Sequence, residues 1–480
     1  MSNLKDRAIN AVIWSLIERF GNQLVQFFIG LILARLLMPD DYGLVGMILI
    51  FISLSTVISE GGFSSALIRQ TNVDEKVFSS VFWFNLVSAL LCYIFLFSAS
   101  SLIADFFKHE ELELIIKISG LNIIINSVNL IPKTILIKKL NFKTQAKINL
   151  SSIIVSGIVG ILMALNGMGY WALVFQVLIR NFLVSALFWI VNKWRPKLFF
   201  SRVVIKDLYR FGSNLMFSSI INTVSENLHA ILIGKYFDAK SLGFYTRANQ
   251  FQKLPVSGIY GAVSAVSYPI LSELQSSGKS VYSGYQSMLK MIAFSLFPIM
   301  AILATISDSM IFVVLTEKWM PASEILKVLT IVGLFYPLHA MNLDILKVKG
   351  RSDLFLKIEI LKQILNIITI IASISFGVIG LVWGSVILNV LCYVINSWYS
   401  KNFINYGILS QIQDLLPYFT ISVILFLLMG ILETLYSNQL FFLLTAPLIF
   451  SSLYLLIMKW LKIEEFNIFR SIFSKFFITK

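Results

Sequence analysis

Charge is scarce in this chain. Lys, Arg, Asp and Glu make up 13% of its 480 residues, about half of the roughly 25% that soluble proteins carry. A set of soluble domains of this total length would need more charge to coat it, so that class is excluded. Cysteine is nearly absent, which excludes a disulfide scaffold. Cys92 and Cys392 both fall in apolar runs and read as membrane-embedded free thiols. The three histidines, His109, His229 and His339, are scattered and show no metal-ligand spacing. There is no Walker A sequence, no HExxH, no CxxC and no GxSxG nucleophile elbow, so no catalytic or metal motif supports an enzyme. No polar stretch is long enough to form a soluble domain.

What is present is apolar: 57% of residues are hydrophobic and 14% aromatic. Runs of about 20 apolar residues recur along the whole chain, the length a membrane-spanning helix requires. The expected fold is an all-α polytopic membrane protein with about fourteen transmembrane helices. The spans are placed near 8–37, 43–68, 78–107, 112–137, 148–166, 169–191, 209–237 and 241–272, then near 283–312, 320–346, 354–376, 377–400, 416–434 and 438–458. Short Gly turns at 166–169 and 377–380 join neighbouring spans. The polar start, Met1 to Arg7, precedes a run that continues past Gly30, which reads as a first span and not as a cleavable signal peptide.

The net charge of +14 is explained by topology. With the N-terminus in the cytoplasm, 24 Lys and Arg fall on the cytoplasmic side, from Lys5 through Lys138, Arg195, Lys279 and Lys349 to Lys480. Four fall outside: Lys108, Lys235, Lys240 and Lys318. That is the positive-inside rule, with both termini expected in the cytoplasm and no need for nucleic acid.

The chain resembles itself at an offset of 200. Residues 22–43, NQLVQFFIGLILARLLMPDDYG, align without a gap on 222–243, NTVSENLHAILIGKYFDAKSLG. Asn22 meets Asn222, Gln26 meets Glu226, Arg35 meets Lys235 and Gly43 meets Gly243. The offset covers six helices, an even number, so both copies run the same way. That is a parallel repeat about an axis along the membrane normal, a plan used by transporters. The expected domains are an N-lobe (1–195, spans one to six), a basic linker (196–208), a C-lobe (209–400, spans seven to twelve), and a remainder (401–480). The remainder holds spans thirteen and fourteen, expected at the periphery and nearly free of buried charge, and a cytoplasmic tail.

Eleven basic residues fall within or at the ends of spans, against six acids: Glu18, Glu60, Glu226, Asp308, Asp344 and Glu359. Charge inside a bilayer is costly and normally faces a bundle interior or a wet cavity. Polar residues three and four apart share helix faces. Arg19, Asn22 and Gln26 gather with Glu18 in the first span, and Lys117, Asn122 and Asn126 in the fourth. Gln176 and Arg180 fall in the sixth, Asn222 with Glu226 in the seventh, Arg247 in the eighth, Lys290 in the ninth and Lys362 in the eleventh. These are the candidate cavity residues, with Arg180 near mid-span the strongest single case. An excess of cations suits an anionic cargo. The amides suit a hydroxyl-rich solute such as a glycan, and the apolar surface suits a lipid tail. With no nucleotide motif, transport is expected to be driven by an ion gradient or by substrate removal. Glu18 and Glu226 are the candidate coupling carboxylates for H+ or Na+; no other cofactor and no metal are expected.

The segments FGNQLVQFFIGLILARLLMPDDYGLVGM, EGGFSSALIRQ and KYFDAKSLGFYTRANQ resemble bacterial polysaccharide flippases. These belong to the multidrug/oligosaccharidyl-lipid/polysaccharide (MOP) exporter superfamily, and the closest look is to the Wzx-like lipopolysaccharide and colanic-acid type. The resemblance implies two six-helix lobes around a central cavity working by alternating access in the bacterial inner membrane. It implies a polyprenyl-diphosphate-linked glycan as cargo, with membrane lipid and polysaccharide polymerase machinery as partners. Two alternatives remain: a drug or cation antiporter of the same fold, which would prefer an acidic cavity, and a membrane glycan polymerase or ligase, which would need large outer loops.

Overall fold

The computed structural model describes residues 2–70, 73–277, 280–434, 436 and 438–477. Lys279 and Lys480, counted above with the basic loops, lie outside them. Among the described residues the chain is helical throughout, with no strand. In lipid, a backbone must satisfy its own N–H and C=O groups, and a helix does so within one segment.

In the first half the helices are α1 (Ser2–Leu36), α2 (Pro39–Glu60), α3 (Phe63–Arg69), α4 (Glu75–Phe107) and α5 (Glu111–Ser119). There follow α6 (Leu121–Lys138), α7 (Phe142–Leu165), α8 (Tyr170–Val191), α9 (Arg202–Tyr236) and α10 (Ala239–Ser276). In the second half are α11 (Val281–Thr305), α12 (Ser307–Met310), α13 (Pro321–Val348) and α14 (Ser352–Ser373). The last four are α15 (Gly377–Ile404), α16 (Ile408–Glu433), α17 (Gln439–Trp460) and α18 (Glu464–Phe477).

Among the described residues, eleven helical segments are long and apolar enough to cross a membrane. One of them, 353–404, contains both α14 and α15, which turn back on each other at Gly377 (φ 78°). Two further helices, α9 and α10, have the length and are not among the eleven. In α9 the reason is visible in the sequence, because Asn214, Ser218, Asn222 and Glu226 recur every four residues along one face. Counted as helices, these eleven segments hold twelve of the fourteen expected spans, and α9 and α10 stand at the positions of the other two. Several spans are also broken. Gly61 and Gly62, both at positive φ, separate α2 from α3, and α5 gives way to α6 at Gly120.

Packing divides the chain into Met1–Gly243 and Phe244–Lys480. In the first unit α7 lies between α1 and α8, and α4 packs on α6 and α2. Helix α9 lies along α2 and meets α3 and α4, so by contact it belongs with the first unit, whereas the repeat groups it with the second. Glycines allow this. A Cβ on Gly62 would strike the carbonyl of Gly212, and one on Gly212 the carbonyl of Gly61. A Cβ on Gly43 would likewise strike the Ala239 carbonyl, and one on Gly243 the Pro39 carbonyl. The last two contacts are exchanged by the offset of 200, so the repeat is expressed as a reciprocal backbone crossing.

Residues 192–201, which overlap the expected linker, are stapled to the first unit. Asn192 donates to the Pro132 carbonyl (2.9 Å) and Trp83 Nε1 to the Lys197 carbonyl (2.9 Å). Backbone N–H groups of Lys197 and Ser201 donate to Ser79 (3.0 Å) and Ser80 (3.1 Å). Phe82, Trp189 and Trp194 cluster beneath, with Arg195 over the Trp189 ring.

In the second unit α13 packs on α15 and α11, α14 on α15, and α16 on α11. Its core runs from Tyr285, Leu289 and Phe297 on α11 to Tyr418 on α16 and Phe450 on α17. The tail also holds α18, which was not expected. It docks through Glu465, buried and accepting from the Tyr418 hydroxyl, and through Phe469 against Phe294. Cys92 and Cys392 are free thiols.

Candidate functional site

The first-span polar face divides in two. Glu18 is half-buried against α7, where its carboxylate accepts from Gln145 (3.2 Å) and Asn149. Those two amides are four residues apart and so share a face. Arg19 and Gln26 are exposed. Asn22 is half-buried, and its Oδ1 is shielded without a hydrogen-bond partner among the described residues. On α9, Asn222 and Glu226 are exposed together with Asn214 and Ser218. The repeat-equivalent positions Gln26 and Glu226 are therefore both exposed. Asn22 and Asn222 differ in burial.

On α5 and α6, Lys117 forms an ion pair with Glu113 one turn earlier and lies 5.0 Å from the Phe97 ring centre. Asn122 is buried. Its Nδ2 donates to the Ser119 carbonyl (3.0 Å), and its Oδ1 accepts from Asn181 on α8 (2.8 Å). Asn126, one turn on, is half-buried. Gln176 packs where α8 approaches α7 at Gly160. Arg180 is half-buried near the middle of α8 and has no hydrogen-bond or ion-pair partner among the described residues. The Asn122–Asn181 bridge fixes α8 against α6 at the residue next to Arg180.

In the second unit the candidate bases have partners. Arg247 is buried and donates to Gln250 (2.6 Å). Lys290 is 3.2 Å from Asp414 on α16, which also accepts from Gln286 (2.6 Å) and the Tyr406 hydroxyl (2.6 Å). Lys362 is buried and ion-paired with Glu359 (2.9 Å). The structure thus bonds Asn122 to Asn181, the residue after Arg180, and Glu18 to α7. It places Lys117, Lys290 and Lys362 each in a separate ion pair.

Four partners of the candidate residues were not named from the sequence: Gln145, Asn149, Asn181 and Asp414. Asn181 adjoins Arg180, and Gln145 and Asn149 have helical spacing, so a signal existed for those three. Asp414 falls just before the expected start of span thirteen, which is why that region read as free of buried charge. Among the described residues, no group of three His, Cys, Asp or Glu side chains could hold a metal ion.

The arrangement gathers amides and a guanidinium, Arg180, that has no partner among the described residues, a pattern suited to binding a polar anion. Residues 32–324 match the family model described as polysaccharide biosynthesis protein. The chain is 29% identical over 370 residues to the teichuronic acid biosynthesis protein TuaB of Bacillus subtilis, covering 76% of each chain. It is 23% identical over 399 residues to the lipopolysaccharide biosynthesis protein WzxC of Escherichia coli, covering 81% of this chain and 80% of the relative. Its fold is similar to that of the lipid II flippase MurJ in an inward closed conformation, with TM-score 0.72 and 19% identity over 92% of this chain and 98% of that one. With the family match extending over more than half its length, this multi-pass membrane protein belongs to the polysaccharide biosynthesis protein family.

Proposed function

We propose that this protein is a transporter, not an enzyme, which flips a polyprenyl-diphosphate-linked oligosaccharide from the cytoplasmic to the outer leaflet of the bacterial inner membrane by alternating access. The observation that carries the reading is Arg180, a half-buried guanidinium on a membrane helix with no counter-charge among the described residues. An unpaired charge there is costly. A diphosphate offers it charge-assisted, bidentate hydrogen bonds. The exposed stripe Asn214, Ser218, Asn222 and Glu226 on α9, with Arg19 and Gln26 on α1, is too polar to face lipid tails and suits the hydroxyls of a glycan. The names of the relatives, which concern teichuronic acid, lipopolysaccharide and lipid II, support a lipid-linked glycan as cargo.

Both termini lie in the cytoplasm in this reading, supported by the 24-to-4 distribution of Lys and Arg. Energy comes from H+ or Na+ coupling through Glu226 or Glu18. Of the two, Glu18 is already held by Gln145 and Asn149, and Glu226 is exposed, which favours Glu226.

The test is translocation in proteoliposomes containing the full chain. A fluorescent polyprenyl-diphosphate oligosaccharide should cross from one leaflet to the other, and a lipophilic cationic dye should not be moved. Dye movement without glycan-lipid movement would replace this reading with the antiporter.

A further inference from the structure

The second unit contains an apolar cavity of about 470 Å³ that the transport reading does not use. It lies between α11, α13, α15 and α16, lined by Phe297, Ala301, Leu334, Trp383 and Phe426, with Lys327 at one end. Its volume falls within the range of ligand pockets, about 300–1,000 Å³. Along α13 the lining runs from Lys327 to Phe335, which at 1.5 Å per residue is about 12 Å. That is close to one leaflet of a hydrocarbon core about 30 Å thick.

The mouth is charged. Lys327 pairs with Asp308, which also accepts from Ser323 (2.6 Å), and both partners keep a third or more of their side chains exposed. Glu433, at the end of α16, lies within Coulombic reach of both. Two carboxylates and one ammonium therefore crown an apolar shaft one leaflet deep. Ser422 lines the shaft, is 3% exposed, and its hydroxyl has no partner among the described residues.

We propose that this cavity seats one acyl chain of an amine-bearing bilayer phospholipid. The headgroup zwitterion lies across the mouth, its phosphate towards Lys327 and its ammonium between Asp308 and Glu433. The charge pattern decides against two other occupants. The diphosphate of a polyprenyl carrier would bring its negative charges against Asp308 and Glu433 with no ammonium of its own to offset them. An anionic phospholipid lacking an amine would leave Glu433 without a counter-ion.

The full chain, reconstituted in vesicles of equal phosphatidylethanolamine and phosphatidylglycerol and then extracted gently, should retain phosphatidylethanolamine preferentially when the bound lipid is measured by mass spectrometry. Ala301→Trp, which fills the shaft, should lose that retained lipid. Glu433→Gln, at the rim, should keep total retention but lose the preference for the amine. Equal retention of the two lipids by the wild type would overturn the proposal. So would preferential capture of added polyprenyl phosphate, which would assign the shaft to the cargo. Unchanged preference in Glu433→Gln would also overturn it, whether or not Ala301→Trp folds.

Discussion

In the second unit Lys290, Lys327, Lys347 and Lys362 each face a carboxylate, at Asp414, Asp308, Asp344 and Glu359. In the first unit Lys117 has Glu113, but Arg180 has no such partner among the described residues. The difference separates scaffold from site. A paired charge in low dielectric spends its attraction on its partner, and the pair contributes little beyond not being broken. An unpaired one keeps its field for a ligand. The eleven-to-six excess of bases over acids in the sequence is therefore less diffuse than the bare count suggests, and Arg180 carries much of its meaning.

The largest effect expected from this contrast is in the second unit. Asp414→Ala removes the acceptor shared by Lys290, Gln286 and Tyr406. It should destabilise the protein by about 3 kcal/mol, the low end of the range for breaking a buried pair, because both partners keep some exposure. Thermal unfolding in detergent measures it. Asp414→Asn should cost less, since it still accepts a hydrogen bond. Wild-type melting combined with lost transport in Asp414→Ala would make Lys290 part of the site and erase the contrast.

A smaller effect sharpens the first unit. Asn181→Leu leaves the buried Oδ1 of Asn122 without its donor, at about 1–2 kcal/mol. Melting should fall modestly, and cargo affinity should fall because α8 is no longer fixed beside Arg180. Unchanged melting and unchanged affinity together would mean that the bridge positions nothing. The smallest effect on stability belongs to Glu226→Gln, which keeps shape and alters an exposed side chain. Melting should stay as in the wild type, and the pH or sodium dependence of transport in liposomes should change. Transport with unchanged dependence on both would remove Glu226 as the coupling group.

Much of this architecture was legible before any coordinates. Apolar runs bounded by short polar or Gly segments mark helices to within about four residues, as at α4, α8 and α15. The polar closing residues of the repeat pointed to Gly43 and Gly243. Their reciprocal contact with Ala239 and Pro39 was not readable, because an aligned pair carries no information on which backbone it meets. Helix α18 was missed for a different reason. Its segment EEFNIFRSIFSKFF is amphipathic and shorter than a span, so a search for apolar runs passes over it. The pairings were the least legible feature. Glu18 finds Gln145 and Asn149, and Lys290 finds Asp414, more than a hundred residues away along the chain, so no local spacing announces them. Arg180 could be named from the sequence as embedded, but its lack of a partner could not.

That lack of a partner is the claim on which the account rests, and affinity with translocation measured for Arg180 variants in proteoliposomes tests it most directly. Arg180→Ala should leave melting unchanged or raised, since it removes an uncompensated charge. It should lower affinity for the polyprenyl-diphosphate glycan about tenfold or more, corresponding to roughly 1.5–3 kcal/mol for a charge-assisted contact. Arg180→Lys should recover part of the loss, because the charge returns without the bidentate fork. Wild-type affinity and translocation in Arg180→Ala, at equal protein levels, would contradict the account.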